Sequence, residues 1–151
     1  MTKYKHNIKQ NVPIDVDIKI YAHADFEKTL ANHNDLSEWI IMFGELICER
    51  DGYWSILRES WKSRISLPSA TVAEERSARS LTRYHELKNM GDTEAADELL
   101  LASLTQSARA HLIRNGIYPA SRPELPAQLR KTGEYEIADK LEELLRRRVG
   151  A

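Results

Sequence analysis

The sequence predicts a mainly α-helical fold, a bundle of helices preceded by one short β-strand. Three observations carry this. From residue 23 onward, apolar residues recur at three- and four-residue spacing, the period of an amphipathic helix. Only the stretch 14–21 alternates strictly between apolar and polar residues, the period of a half-buried strand. Gly-Asp, Asp-Gly and Pro signals punctuate the chain at intervals that leave room for helices of about 8–20 residues. The composition fits a folded protein: 42% of the 151 residues are hydrophobic and 30% charged. Lys and Arg total 22 against 23 Asp and Glu, a net charge of -1, which argues against a nonspecific nucleic-acid binder but not against a local basic patch.

Residues 1–12 read as a polar lead-in, without the apolar core of a signal peptide. The strand follows, with Ile14, Val16, Ile18 and Ile20 on one side and Asp15, Asp17, Lys19 and Tyr21 on the other. A lone strand needs a pairing partner, which a second copy of the chain would supply. Asp25 is placed to cap a first helix to about Leu30, ending at the Asn32-His33-Asn34-Asp35 cluster. A second helix is expected from about Leu36 to Arg50, capped by Ser37 or Asp35 and stopped by Asp51-Gly52. A third, from Tyr53 to Ile65, would bury Trp54, Leu57 and Trp61. Two long helices follow, Ser69–Met90 and Thr93–Asn115, joined at Gly91-Asp92. They read as an antiparallel hairpin, the second carrying Leu100, Leu104, Ala108 and Leu112 on one stripe. Ser121-Arg122-Pro123-Glu124 is a capping box opening a short helix to Lys131. Past Gly133 a last helix, Glu134–Arg148, would bury Ile137, Leu141, Leu144 and Leu145. No internal repeat is expected. No stretch approaches the roughly 20 apolar residues of a membrane span, and a cytoplasmic location follows from this reading.

Candidate chemistry is sparse. Asp15 and Asp17, at i and i+2 on a strand, project from one face and could share a divalent cation such as Mg2+. No glycine-rich loop stands beside them to hold a triphosphate, so no cofactor is expected unless a transferase reading holds. Cys48 lies in an apolar run and reads as a buried thiol. Arg79 and His85 are six residues apart on one helix, about 120° around its axis, and would not converge on one phosphate. Arg109, His111, Arg114 and Arg122 flank the end of the second long helix, with Arg130 and Lys131 beyond. Of these, His111 and Arg114 share a face at i and i+3, and Arg122 begins the next helix. These three form the candidate ligand-binding set for phosphate or RNA backbone. Arg146-Arg147-Arg148 balance the dipole of the last helix.

The stretch 17–28, followed by Phe43-Gly44-Glu45-Leu46-Ile47-Cys48-Glu49-Arg50-Asp51-Gly52, resembles the closing part of minimal nucleotidyltransferase domains, where a strand bearing the third metal carboxylate leads into short helices. That resemblance places Asp17 at the third carboxylate. The stretch 108–125, running from Ala108-Arg109-Ala110-His111 through Gly116-Ile117-Tyr118-Pro119 to Leu125, is similar to the long helix and loop of HEPN helical bundles, which accompany such transferases. The two resemblances divide the chain into a transferase-like remnant, 1–52, and a HEPN-like bundle, 53–151. The transferase's Gly-Ser loop has no counterpart, and Arg122 stands where the HEPN pattern has histidine. The resemblance therefore implies a non-catalytic accessory or regulatory module that binds a protein partner or a nucleotide, itself a homodimer, with a nucleotidyltransferase as one candidate partner. Two other readings stand beside it: a truncated or split nucleotidyltransferase with an Asp15–Asp17 metal site, and a toxin–antitoxin component acting on RNA.

Overall fold

The computed structural model describes residues 18–149. Its elements are α1 (His23–Ala31), α2 (Asp35–Phe43), α3 (Tyr53–Lys62), α4 (Ala70–Asn89), α5 (Thr93–Arg114), a single 3-10 turn (Arg122–Glu124), α6 (Leu125–Lys131) and α7 (Tyr135–Val149). The mainly helical expectation holds. The expected strand falls largely outside the described residues, as do Asp15 and Asp17, and residues 18–22 carry no strand. Two compact units divide between Ser37 and Glu38.

In the first unit, α1 begins without a side-chain cap, and Asp25 sits in its first turn beside Lys28 at 3.9 Å. Phe26 and Leu30 are its buried residues. The cap of α2 is Asn34 rather than Ser37 or Asp35: its Oδ1 accepts the Ser37 N–H at 3.2 Å. Asparagine in that position satisfies one of the orphan donors of the first turn.

α2 stops seven residues earlier than the sequence suggests. The Gly44 N–H still donates to the Ile40 carbonyl at 2.7 Å, and the helix goes no further. The reason lies downstream. Glu49 leaves the helical path to cap α3, accepting the Ser55 N–H at 2.7 Å and the Ser55 hydroxyl at 2.8 Å. Gly52, at the N-cap of α3, has no side chain to do this. The Ser55 amide, then its hydroxyl, hold the Glu49 carboxyl below its ordinary pKa. Arg58 on α3 reaches back to the freed C-terminus of α2, donating to the carbonyls of Ile41 at 2.9 Å and Met42 at 3.1 Å. Cys48 consequently lies in the connecting segment, exposed, and not in a helix core. Of the expected α3 core residues, Leu57 is buried while Trp54 and Trp61 are half-buried.

From α4 onward the chain is built of hairpins. α4 packs on α5, and α5 also packs on α6 and α7. A helix with three neighbours cannot keep a single apolar stripe. α5 buries Leu101, Ser103, Thr105, Ala108, Ala110 and Leu112 around much of its circumference, beyond the expected stripe. Small residues let the α4 and α5 backbones approach closely. At the contact Ser77 Oγ donates to the Ser103 carbonyl at 2.9 Å, and Ser103 Oγ returns the bond to the Ser77 carbonyl at 3.0 Å. The core of this part is Leu101, Ala108, Leu112, Leu125, Leu129, Ala138 and Leu141.

The ends of α4, α5 and α6 share one turn. In each a leucine carbonyl accepts a bond from the residue five positions on: Asp92 N–H to Leu87 at 3.1 Å, Ile117 to Leu112 at 2.9 Å, Glu134 to Leu129 at 3.1 Å. These are Schellman motifs, each with a glycine in the left-handed region, Gly91 at φ 84° among them. The first and third also start the next helix in the same way, and here the expectation of no repeat fails. Leu87-Lys88-x-x-Gly91-Asp92-x-Glu94-x-Ala96-Asp97-x-Leu99 matches Leu129-Arg130-x-x-Gly133-Glu134-x-Glu136-x-Ala138-Asp139-x-Leu141 at an offset of 42 residues. Ala96 and Ala138 are both buried at the fourth position of their helices. The α4–α5 and α6–α7 junctions are thus two copies of one turn together with the start of the helix that follows it.

Nothing lies within 4 Å of a Cβ added at Gly91 or Gly133, so an alanine there meets only the backbone cost of the left-handed conformation. Gly91→Ala and Gly133→Ala should each destabilise the chain by about 1–2 kcal/mol, read as a lower urea midpoint with unchanged m-value. Unequal losses would show that the two turns are not equivalent.

Candidate functional site

The three residues expected to form a ligand site sit at the end of α5 and the start of the 3-10 turn, but each meets a different neighbour. Arg114 turns toward α4 and pairs with Glu74 at 2.6 Å. His111 turns toward the α6–α7 junction. The Thr132 hydroxyl donates to the Leu129 carbonyl at 2.8 Å, and His111 Nε2 lies 3.1 Å from that hydroxyl and 3.2 Å from the Asn115 side-chain amide nitrogen. The other ring nitrogen, Nδ1, stands 4.0 Å from a Glu134 carboxylate oxygen. Asn115 completes the arrangement, donating to the His111 carbonyl at 2.9 Å. The imidazole therefore latches the end of α5 to the turn between α6 and α7.

Arg122 is half-buried at the head of the 3-10 turn and holds no ion pair among the described residues. The capping box beside it forms as expected: Ser121 Oγ lies 2.6 Å from Glu124 Oε2, which also accepts the Ser121 N–H at 3.1 Å. Gln128, which the sequence does not single out, fixes the preceding loop. Its Oε1 accepts the Ala120 N–H at 2.8 Å and its Nε2 donates to the Tyr118 carbonyl at 3.2 Å.

A second set of charges lies between α6 and α7. Arg130 reaches Asp139 at 2.8 Å and Glu142 at 2.5 Å, and Arg146 approaches Glu142 at 3.1 Å. Arg130 first, then Arg146, hold the Glu142 carboxyl below its ordinary pKa through hydrogen bonds and charge. Arg130, Glu142 and Arg146 border a shallow groove of about 550 Å³ whose apolar lining comes from Pro123, Pro126, Ala127 and Leu145. Both guanidinium groups already hold carboxylates, so an incoming anion would have to displace Glu142 or Asp139.

Among the described residues no group of three or more His, Cys, Asp or Glu is placed to hold a metal ion. Arg79 and His85 are both exposed on the continuous α4. No described helix is long and apolar enough to cross a membrane. No family model, curated protein or solved structure matches this chain.

The Arg130–Glu142–Arg146 cluster has a pH signature. A carboxylate whose folded pKa lies below its unfolded value adds stability that is present above the unfolded pKa and is lost as pH falls through the folded one. Stability should therefore drop as pH is lowered from about 4.5, and Glu142→Gln should flatten that part of the profile in pH-dependent urea unfolding. An unchanged slope would show that the pair contributes nothing in solution.

Proposed function

We propose that the chain is a non-catalytic helical accessory module that binds a protein partner. The observation that supports this most is the helix–turn–helix junction that occurs twice. Helical units that recur along a chain and share a core between neighbours build extended surfaces rather than enclosed reaction chambers. The groove beside α6 and α7 is open and shallow, in keeping with that use. The cations at the end of α5 point the same way. A nucleotide phosphate would need them available, whereas Arg114 holds Glu74 and His111 holds Thr132 beside Glu134. The similarity of 108–125 to HEPN bundles adds a class of partner, the nucleotidyltransferases with which such bundles occur.

The test is direct. Incubation with labelled nucleoside triphosphates, Mg2+ and protein or RNA acceptors should leave no covalent label. Metal-dependent labelling that disappears in Asp17→Ala would overturn the non-catalytic reading in favour of a nucleotidyltransferase.

A further inference from the structure

Among the described helices α4 packs chiefly on α5, and turns Ala73, Ser77 and the half-buried Ser80, Tyr84 and Leu87 toward it. On the far side stand Arg76, Arg79 and Arg83, all exposed. At 100° per residue they fall within a sector of about 60° and span about 10 Å along the axis. Val72 and Met90 lie in the same sector, one at each end, and are 42% and 79% exposed.

Among the arginines of α3 to α7, these three are distinguished by what they lack. Every described arginine of α3, α5, α6 and α7 is engaged within the chain. Arg58 holds carbonyls, Arg109 is in contact with a partner, and Arg114, Arg130, Arg146, Arg147 and Arg148 hold carboxylates. Arg76, Arg79 and Arg83 take part in no ion pair or hydrogen bond through their side chains among the described residues. A merely solvated helix face is arranged differently, and α7 shows how. Its exposed charges pair at i and i+4, Glu136 with Lys140, Glu142 with Arg146 and Glu143 with Arg147. On α4, Glu75 stands at the same spacing from Arg79 and makes no such pair, and Glu74 is drawn away to Arg114.

We infer that the outer face of α4 is the docking surface for an acidic amphipathic helix of a protein partner, with carboxylates facing Arg76, Arg79 and Arg83 and apolar side chains covering Val72 and Met90. This rests on the reading of the chain as an interaction module and names the chemistry of its partner. Charge complementarity selects an anionic occupant. The apolar residues at the two ends of the stripe select protein over a phosphate backbone, which has no use for an exposed methionine. Glu75 and Glu86, exposed along one border of the stripe, would repel a continuous polyanion yet leave discrete carboxylates room to seat on the arginines. Three arginines also neutralise few phosphates, and binding to nucleic acid gains its strength from the number of phosphates neutralised.

The experiment uses the full chain and a labelled alanine-based helical peptide carrying three glutamates at the spacing of the three arginines and a leucine near each end. Fluorescence anisotropy should show saturable binding that weakens as salt rises. Arg79→Glu combined with Arg83→Glu should weaken it at least about tenfold, with helicity by circular dichroism unchanged. Arg79→Ala with Arg83→Ala gives the same readout without introducing new charge. Peptide binding that is absent, or indifferent to both double variants, overturns the inference. So does tighter binding of a single-stranded oligonucleotide of about 20 residues that is lost in the same variants. Self-association by sedimentation that the variants abolish would likewise overturn it, making the occupant a second copy. None of these outcomes affects the non-catalytic reading, which falls only if the nucleotide-labelling experiment is positive.

Discussion

Leu112 and Leu129 each tie a turn to the core. Their carbonyls accept the Schellman bonds that end α5 and α6, while their side chains are fully buried against Leu125, Ala138 and Leu141. The direction in which the chain leaves each helix is therefore set by the same residue that anchors the helix. Had the turns been held by surface residues alone, α6 and α7 could swing without disturbing the core. With the leucine in both roles, each turn is anchored on a packed side chain, whose truncation to alanine costs about 2–5 kcal/mol. Ile117, the residue after the second turn, packs against the same cluster, the hydrophobic contact that commonly accompanies this motif.

The polar contacts of this region follow from that arrangement. Once α5 ends at Gly116 and α6 at Gly133, His111 and Thr132 are brought within bonding distance, and Glu134 is carried to the far side of the imidazole. Arg130 stands one residue after Leu129, and Glu142 one residue after Leu141, so the two buried leucines leave their charged neighbours close enough to pair. The Arg114–Glu74 pair, with both side chains well exposed, does less; an exposed ion pair contributes between zero and about 1 kcal/mol.

Much of this was legible in the sequence, for identifiable reasons. The long hairpin, its Gly91 turn, the capping box at Ser121 and the buried Leu112 and Leu141 all announce themselves through local signals of spacing and turn chemistry. The end of α2 does not, because the apolar run through Cys48 looks helical. What ends it is Glu49 capping α3, a contact made across six residues of sequence. The breadth of burial on α5 was hidden for a related reason. Periodicity shows which face a helix prefers, not how many neighbours it meets. The 42-residue repeat escapes inspection because α4 and α6 differ in length and only the turn and the first turn of the following helix are shared. Helical spacing places His111 and Arg114 on one face beside Arg122 but cannot see that Glu74 waits on α4 and Thr132 at the end of α6. The α4 arginines carry a plain i, i+3, i+7 signal, yet only the structure shows that nothing within the described residues answers them.

The account stands on α5, α6 and α7 forming one cooperative body through Leu112 and Leu129, with α4 fastened to it along its inner face. Native-state amide hydrogen exchange measures this most directly, because it reports the opening free energy of each helix separately. The amides of α5, α6 and α7 that face the core should exchange with one shared opening free energy, equal to that of global unfolding, and Leu129→Ala should lower all three together. Exchange of α6 and α7 through a separate, lower-energy opening while α4 and α5 stay protected would contradict it.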